Sequence, residues 1–143
     1  MKKYLFMISL VFIITGCTSV GQFQIPTKSV KTQNVALKKG QNWQGAYKCA
    51  QGNTALNLQI TNVNENNINA LFFFNYANVK KGVFKLVGNY DEVSGKLVFE
   101  PREWIQRPSG YRTVSMDGFV KGDIYYGKIT TAGCSNFQVK LVD

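Results

Sequence analysis

The sequence of 143 residues contains no histidine, and it has only eight acidic residues and three cysteines. Without histidine, neither a Ser-His-Asp triad nor a metal site with imidazole ligands is possible. The cysteines stand at positions 17, 49 and 134, so no two of them have the Cys-x-x-Cys spacing of many zinc and redox sites. We therefore expect that the protein is not an enzyme and that it holds no cofactor and no metal.

Few carboxylates remain for acid–base chemistry. Glu100 and Glu103 are close in sequence, and a glycosidase uses two carboxyl groups ~5–9.5 Å apart. Exposed glutamates are far more common than catalytic pairs, and Asp91 and Glu92 belong to a turn signal. We expect all four to be surface residues.

The sequence also lacks a hydrophobic run long enough to cross a membrane as a helix. The apolar stretch over residues 4–14 is about half of the ~20 residues that a spanning helix needs. It follows two lysines and precedes the small residues Thr15 and Gly16, which is the pattern of a secretory signal peptide. We predict a signal peptide over residues 1–16.

Cys17 lies directly after this segment. Ile14-Thr15-Gly16-Cys17 resembles the lipobox of bacterial lipoproteins, apart from isoleucine where leucine is usual. The resemblance implies that Cys17 is acylated, with palmitate among its chains, whereas the alternative is an ordinary cleavage site beside a cysteine. Thr18 stands where the best-known inner-membrane retention signal has aspartate, which implies anchoring in the outer membrane of the cell envelope.

Residues 17–41 join the predicted lipidated cysteine to the rest of the chain. Residues 18–41 are rich in Lys, Thr, Gln, Ser and Asn and show little apolar periodicity. Such a segment cannot bury enough surface to offset its chain entropy. We therefore expect a flexible tether with a reach of roughly 27 Å.

The chain is strongly basic. Removal of Lys2 and Lys3 with the signal peptide leaves 15 of the 17 basic residues against eight acidic ones, a balance of +7. Anionic lipids and wall polymers are the polyanions of the envelope, and an exported protein does not meet nucleic acid there. Besides the membrane, we expect the partner to be an envelope protein or an anionic cell-wall polymer.

From residue 42 to residue 143, apolar and polar residues alternate with a period of two, and no window has the 3.6-residue period of a helix. Turn signals such as Gln51-Gly52-Asn53 separate the alternating runs. The pattern predicts an all-β domain, a small antiparallel up-and-down β-barrel of seven or eight strands, with a β-sandwich as the alternative. In this prediction residues 96–100 form a strand, residues 101–110 are irregular, and residues 111–120 form the next strand.

Cys49 and Cys134 remain once Cys17 carries lipid. An even pair of cysteines in an oxidising compartment favours a disulfide. Cys49 ends the first predicted strand and Cys134 lies just before the last, so a bond would bring their Cα atoms within ~7 Å. Because an up-and-down barrel pairs its first strand with its last, this disulfide favours the barrel.

The domain carries two resemblances. Trp43-x-Gly45-x-Tyr47 is similar to the first strand of lipocalin-like barrels, although the order of tryptophan and glycine differs. The longer pattern W-x-G-x-Y-x-C-x-Q-G, with the later Gly133-Cys134-x-x-Phe137, resembles a family of small exported bacterial domains of uncharacterised function. This second resemblance implies a disulfide and a β-fold, and no activity.

Residues 102–111 hold the strongest candidate for a binding site. Arg102, Trp104, Arg107 and Tyr111 are of the types enriched at binding hot spots, and a loop that carries them is unusual. The alternative is that Trp104 plugs one end of the barrel while the arginines are solvated. The pairs at positions 80–81 and 125–126 are weaker candidates of the same kind.

These features favour a lipid-anchored, non-enzymatic binding or structural module of the envelope. An inhibitor of a host or rival hydrolase, resembling lysozyme inhibitors, would share the disulfide-bearing barrel, but a balance of +7 would repel a basic lysozyme. A carrier of a small lipophilic ligand would need an empty interior. The large side chains predicted to point inward argue against one: Phe72, Phe74, Phe84, Tyr90 and Phe99.

Acylation of Cys17 predicts that Cys17→Ala abolishes the incorporation of labelled palmitate and releases the chain from the membrane fraction. Because stable anchoring needs more than one acyl chain, loss of the only acylated residue should leave little membrane retention. Metabolic labelling with fractionation measures both effects. Unchanged labelling, or equal retention after the substitution, would contradict the lipobox assignment.

Overall fold

A computed structural model describes residues 34–77 and 80–142. Eight antiparallel strands follow one another around a closed barrel, which confirms the predicted up-and-down barrel over the sandwich. The described residues form no helix that has the length and apolar character needed to cross a membrane. The predicted signal peptide, Cys17 and residues 18–33 of the predicted tether lie outside the described residues. The strands are β1 (Asn42–Cys49), β2 (Gly52–Asn64), β3 (Asn67–Tyr76), β4 (Lys80–Asp91), β5 (Lys96–Gln106), β6 (Met116–Lys121), β7 (Ile124–Ile129) and β8 (Cys134–Leu141).

The strands follow the alternation of the sequence. In β4, Phe84, Leu86, Gly88 and Tyr90 are buried, and the residues that alternate with them are exposed or partly exposed. A strand turns successive side chains to opposite faces, so each apolar series lies on the inner wall of the barrel. The interior is therefore the hydrophobic core of the domain.

Aromatic side chains fill the interior. Phe72 stacks on Phe84 with ring centroids 4.5 Å apart, and Tyr47 meets the Phe72 ring edge-on at 5.4 Å. Nearer the other end, Tyr125 packs edge-on against Phe137, and its hydroxyl donates a hydrogen bond to the Leu97 carbonyl at 3.1 Å. This confirms the prediction of a filled interior.

The barrel closes where β1 pairs with β8. Gly45 lies opposite Val139 in this pairing, and a Cβ atom at Gly45 would overlap the backbone carbonyl of Gln138. Only glycine permits so close an approach of the two strands. A disulfide joins Cys49 and Cys134 at one end of the same seam, as predicted. We call this end of the barrel the disulfide end.

Two predicted boundaries are wrong. Residues 101–106, expected to be irregular, continue β5, because the pairing of β4 with β5 shifts register on either side of Phe84. A strand tolerates proline at register shifts of this kind, and Pro101 occupies such a position in β5. Residues 111–115, expected to be a strand, lie outside the strands, and Val114 is buried under the disulfide end instead.

The last part of the predicted tether packs onto the barrel. Residues 34–41, which we call the N-terminal strap, cross the end opposite the disulfide. The Val35 amide donates a hydrogen bond to the Gly122 carbonyl at 3.2 Å, and the Gly40 amide donates one to the Ile60 carbonyl at 2.8 Å. Leu37, with 8% of its surface exposed, joins the core. The expectation of a flexible tether therefore fails for these residues, because one leucine fits the open end of the barrel.

Burial of Leu37 predicts that Leu37→Ala destabilises the barrel by about 2–5 kcal/mol, since the change removes core contacts and leaves a cavity. Lys38→Ala is the matched control, because the Lys38 side chain is exposed in the same strap. Chemical denaturation of the full chain measures both variants. Equal stability of the two would show that the strap is not part of the core.

Candidate functional site

Trp104 and Tyr111 meet at the disulfide end of the barrel. Trp104 packs edge-on against Phe84 at 5.0 Å and against Phe74 at 6.2 Å, and Tyr111 stacks on Phe74 at 5.1 Å. Both side chains are partly buried against the core. Their rings therefore close the barrel end, as in the plug alternative.

The two arginines of the predicted cluster are separated. Arg107 donates a hydrogen bond from Nε to the Tyr111 carbonyl at 3.3 Å, which fixes the turn that carries Tyr111. Arg102 is exposed and borders a different depression, beside the ion pair of Lys85 with Glu103 at 2.7 Å. The hydrogen bond from Lys85 holds the pKa of the Glu103 carboxyl below its usual value. The structure thus brings together Trp104, Arg107 and Tyr111 and leaves Arg102 apart.

The glutamates do not share a partner. Glu100 accepts a hydrogen bond from the Ser115 hydroxyl at 2.9 Å, whereas Glu103 pairs with Lys85. Groups of three or more His, Cys, Asp or Glu side chains placed to hold a metal do not occur among the described residues. The geometry offers no pair of carboxyls arranged around a common substrate position.

Two buried tyrosines place their hydroxyls in the described interior. Burial raises the pKa of Tyr47 to about 12, and burial raises the pKa of Tyr125 well above its ordinary value. Both hydroxyls therefore stay neutral at neutral pH. At the strapped end, Leu37 and Trp43 leave no room for a water molecule between them and the residues below.

A concave surface lies on the outer wall instead. A groove of about 710 Å³ runs across β1 to β5, a size within the ~300–1,000 Å³ usual for ligand sites. We call it the amide groove. Its lining residues are Gln44, Gly45, Ala55, Leu56, Asn57, Phe73, Phe74, Asn75, Lys81, Gly82, Val83 and Gln106.

Two glycines of the inner face are part of the groove lining. Gly45, Leu56, Phe74 and Gly82 are successive cross-strand partners, and their side-chain positions face the interior. A Cβ atom at Gly82 would overlap the Phe74 ring, so glycine permits the close packing at this end of the row.

Amides and apolar groups both line the groove. Gln44, Asn57, Phe73, Val83 and Gln106 form an unbroken cross-strand row on the outer face. The Asn57 Oδ1 atom is buried and accepts no hydrogen bond from a described residue. Leaving such an acceptor unpaired costs ~1–3 kcal/mol. The Trp43 Nε1 atom and the Tyr90 hydroxyl are buried in the same way, without a partner among the described residues.

The groove is positive in charge. Lys81 lines it, and none of the other described residues in the lining is acidic. A second groove of about 480 Å³, the tyrosine groove, crosses β7, β8 and β1 and is lined by Tyr126 together with Lys48 and Lys128. The grooves adjoin where Ala46 of the tyrosine groove faces Ala55 of the amide groove. A lining of lysines without carboxylates attracts anionic ligands.

Sequence reasoning missed both grooves. Phe73 was recognisable as an apolar residue on the outer face of its strand, and Gly45 and Gly82 as glycines on inner faces. What the sequence could not supply was the register that places these residues side by side on different strands. The pair at positions 125–126 divides between the faces, since Tyr125 is buried in the core and Tyr126 lines a groove.

Comparison of the chain with protein-family models, with curated proteins and with solved structures gives no match. The resemblance to exported bacterial domains therefore stays a prediction, and the geometry alone carries the functional argument.

The packing of Trp104 predicts that Trp104→Ala destabilises the fold by about 3 kcal/mol, the lower end of the range for a buried aromatic residue, because the ring is only partly buried. Ile105→Ala is the control, since its neighbouring side chain is 57% exposed on the outer face. That change should cost about 0.5 kcal/mol or less. Thermal unfolding compares them. Unchanged stability of Trp104→Ala would restore Trp104 as a free surface residue.

Proposed function

We propose that the protein is a non-enzymatic binding module of the cell envelope, anchored through Cys17, that holds its partner on the outer wall of the barrel. The single observation that carries the proposal is the amide groove, a concave, acid-free surface on a barrel whose interior is full. A lipid at Cys17 would keep the module at the membrane, and the localisation we propose is the outer membrane. The described residues offer no arrangement for catalysis.

The filled interior separates this proposal from the carrier alternative. Phe72, Phe84 and Phe99 expose 1% of their surface or less and occupy the volume that a lipophilic ligand would need. Opening that volume would break aromatic contacts that stabilise the fold. The groove, by contrast, is available without any change in the barrel.

The amide groove also differs from a typical protein hot spot. It contains no tryptophan, tyrosine or arginine, the residues that dominate binding energy between proteins. Of the two partners expected from charge, an anionic cell-wall polymer therefore fits the groove better than an envelope protein. No feature of the groove favours inhibition of a hydrolase.

Blocking the groove tests the proposal. Ala55 is exposed in the groove, so Ala55→Glu adds bulk and a negative charge without disturbing the core. We expect this variant of the lipidated full chain, in detergent micelles, to bind purified cell-wall material at least tenfold more weakly than wild type. Co-sedimentation at rising wall concentration measures the affinity.

Ala36→Glu is the matched control, because Ala36 is equally exposed but lies in the N-terminal strap. It should bind the wall material as wild type does. Equal binding of all three proteins would place any wall contact outside the groove and overturn the proposal. Absence of binding by the wild type would overturn it as well.

A further inference from the structure

We infer that the amide groove recognises a glycan that carries both acetamido and carboxylate groups, the chemistry of peptidoglycan strands. The inference rests on the proposed function and specifies its ligand. It comes from three properties of the groove: several side-chain amides, an apolar floor, and a lysine without an acidic residue among the described lining residues.

The amides match the polar rim of a sugar. Gln44, Asn57 and Gln106 each offer a carbonyl acceptor and an NH₂ donor, the two functions that hydroxyl and acetamido groups require. The Asn57 side chain is partly exposed and lines the groove, so its amide can meet a ligand that carries an acetamido group.

The floor matches the apolar face of a pyranose ring. Phe73 and Val83 are cross-strand partners that are partly exposed on the outer wall, and Ala55 lies on the same face. A sugar presents C–H groups on one face and polar groups around its edge, so it can cover Phe73 while its edge meets the amides. A lipid chain would cover the floor but would leave the amides without partners.

The positive charge of Lys81 favours a ligand that carries a carboxylate group. Its side chain is exposed and lines the groove, and it forms no salt bridge with a described residue. Asn75 is the register partner of Lys81 across β3 and β4. A carboxylate on the ligand could reach the Lys81 ammonium while the sugar meets the amides of the groove.

Four soluble probes test which chemical groups of a ligand the amide groove binds. They are a disaccharide-peptide of peptidoglycan with both groups, chitotetraose with acetamido groups alone, an oligogalacturonide with carboxylates alone, and a glycerol-phosphate oligomer with neither. Calorimetric titration of the lipidated full chain in micelles measures each affinity. We expect the disaccharide-peptide to bind at least tenfold more tightly than any other probe, since it meets both kinds of donor.

Two substitutions assign these contributions. Asn57→Leu should weaken the disaccharide-peptide and chitotetraose about tenfold without lowering the melting temperature, because it removes an acceptor that is unpaired in the fold. Lys81→Gln should weaken the disaccharide-peptide about tenfold and leave chitotetraose unchanged. The controls Asn89→Leu and Lys121→Gln alter exposed residues outside the groove and should change no affinity.

The outcomes distinguish the inference from the proposed function. The glycerol-phosphate oligomer could bind most tightly, with an affinity that Ala55→Glu reduces. This result would overturn the inference of a glycan ligand and would keep the amide groove as a site for wall polymer. An envelope protein could bind through the groove while none of the four probes binds. This result would overturn the inference of a glycan ligand and would make a protein the partner in the proposed function. If none of the groove variants changes the affinity for the disaccharide-peptide, both the inferred glycan ligand and the proposed binding groove are overturned.

Discussion

Closure of the barrel through the pairing of β1 with β8 is the constraint on which the rest of the structure depends. The disulfide of Cys49 with Cys134 joins two strands whose cysteines are 85 residues apart in sequence. Fixing so long a loop restricts the unfolded chain by about 4–5 kcal/mol in the entropy model. Closure also removes the exposed strand edges through which sheets aggregate. The interior that it encloses is narrow enough for side chains to fill.

Because the interior is filled with side chains, we expect ligands to bind on the outer wall of the barrel. An eight-stranded barrel can hold a small ligand only where its inward side chains are short, and here they are mostly aromatic or branched. The outer surface is concave at the amide groove, where the inward glycines Gly45 and Gly82 are part of the lining. The same glycine that permits close approach at the β1–β8 seam therefore lines the groove. Stability and binding are linked in this wall through Gly45.

The sequence predicted the features that depend on local patterns. Alternation identified the strands, and the even pair of cysteines identified the disulfide that closes the barrel. Prediction failed where a single side chain decides the outcome in three dimensions. Leu37 lies in a polar segment, and only the open end of the barrel makes its burial favourable. Pro101 suggested an irregular segment, because the register shifts that admit it are invisible in the sequence.

The candidate site was harder to predict than the fold for the same reason. Trp104 and Tyr111 have the composition of a hot spot, yet their rings pack on Phe74 beneath the surface. The residues that line the amide groove come from five strands and include no residue that attracts attention by type. Their significance comes from the cross-strand row in which they stand, and that row requires the register.

The central claim is that ligands meet the outer wall and leave the interior undisturbed. Nuclear magnetic resonance of the full chain in micelles, titrated with soluble cell-wall fragments, tests it directly. The account predicts shifts of the side-chain amide resonances of Gln44, Asn57 and Gln106, with the aromatic resonances of Phe99 and Tyr125 unchanged. Shifts confined to the interior aromatic rings, with the groove amides unaffected, would contradict it.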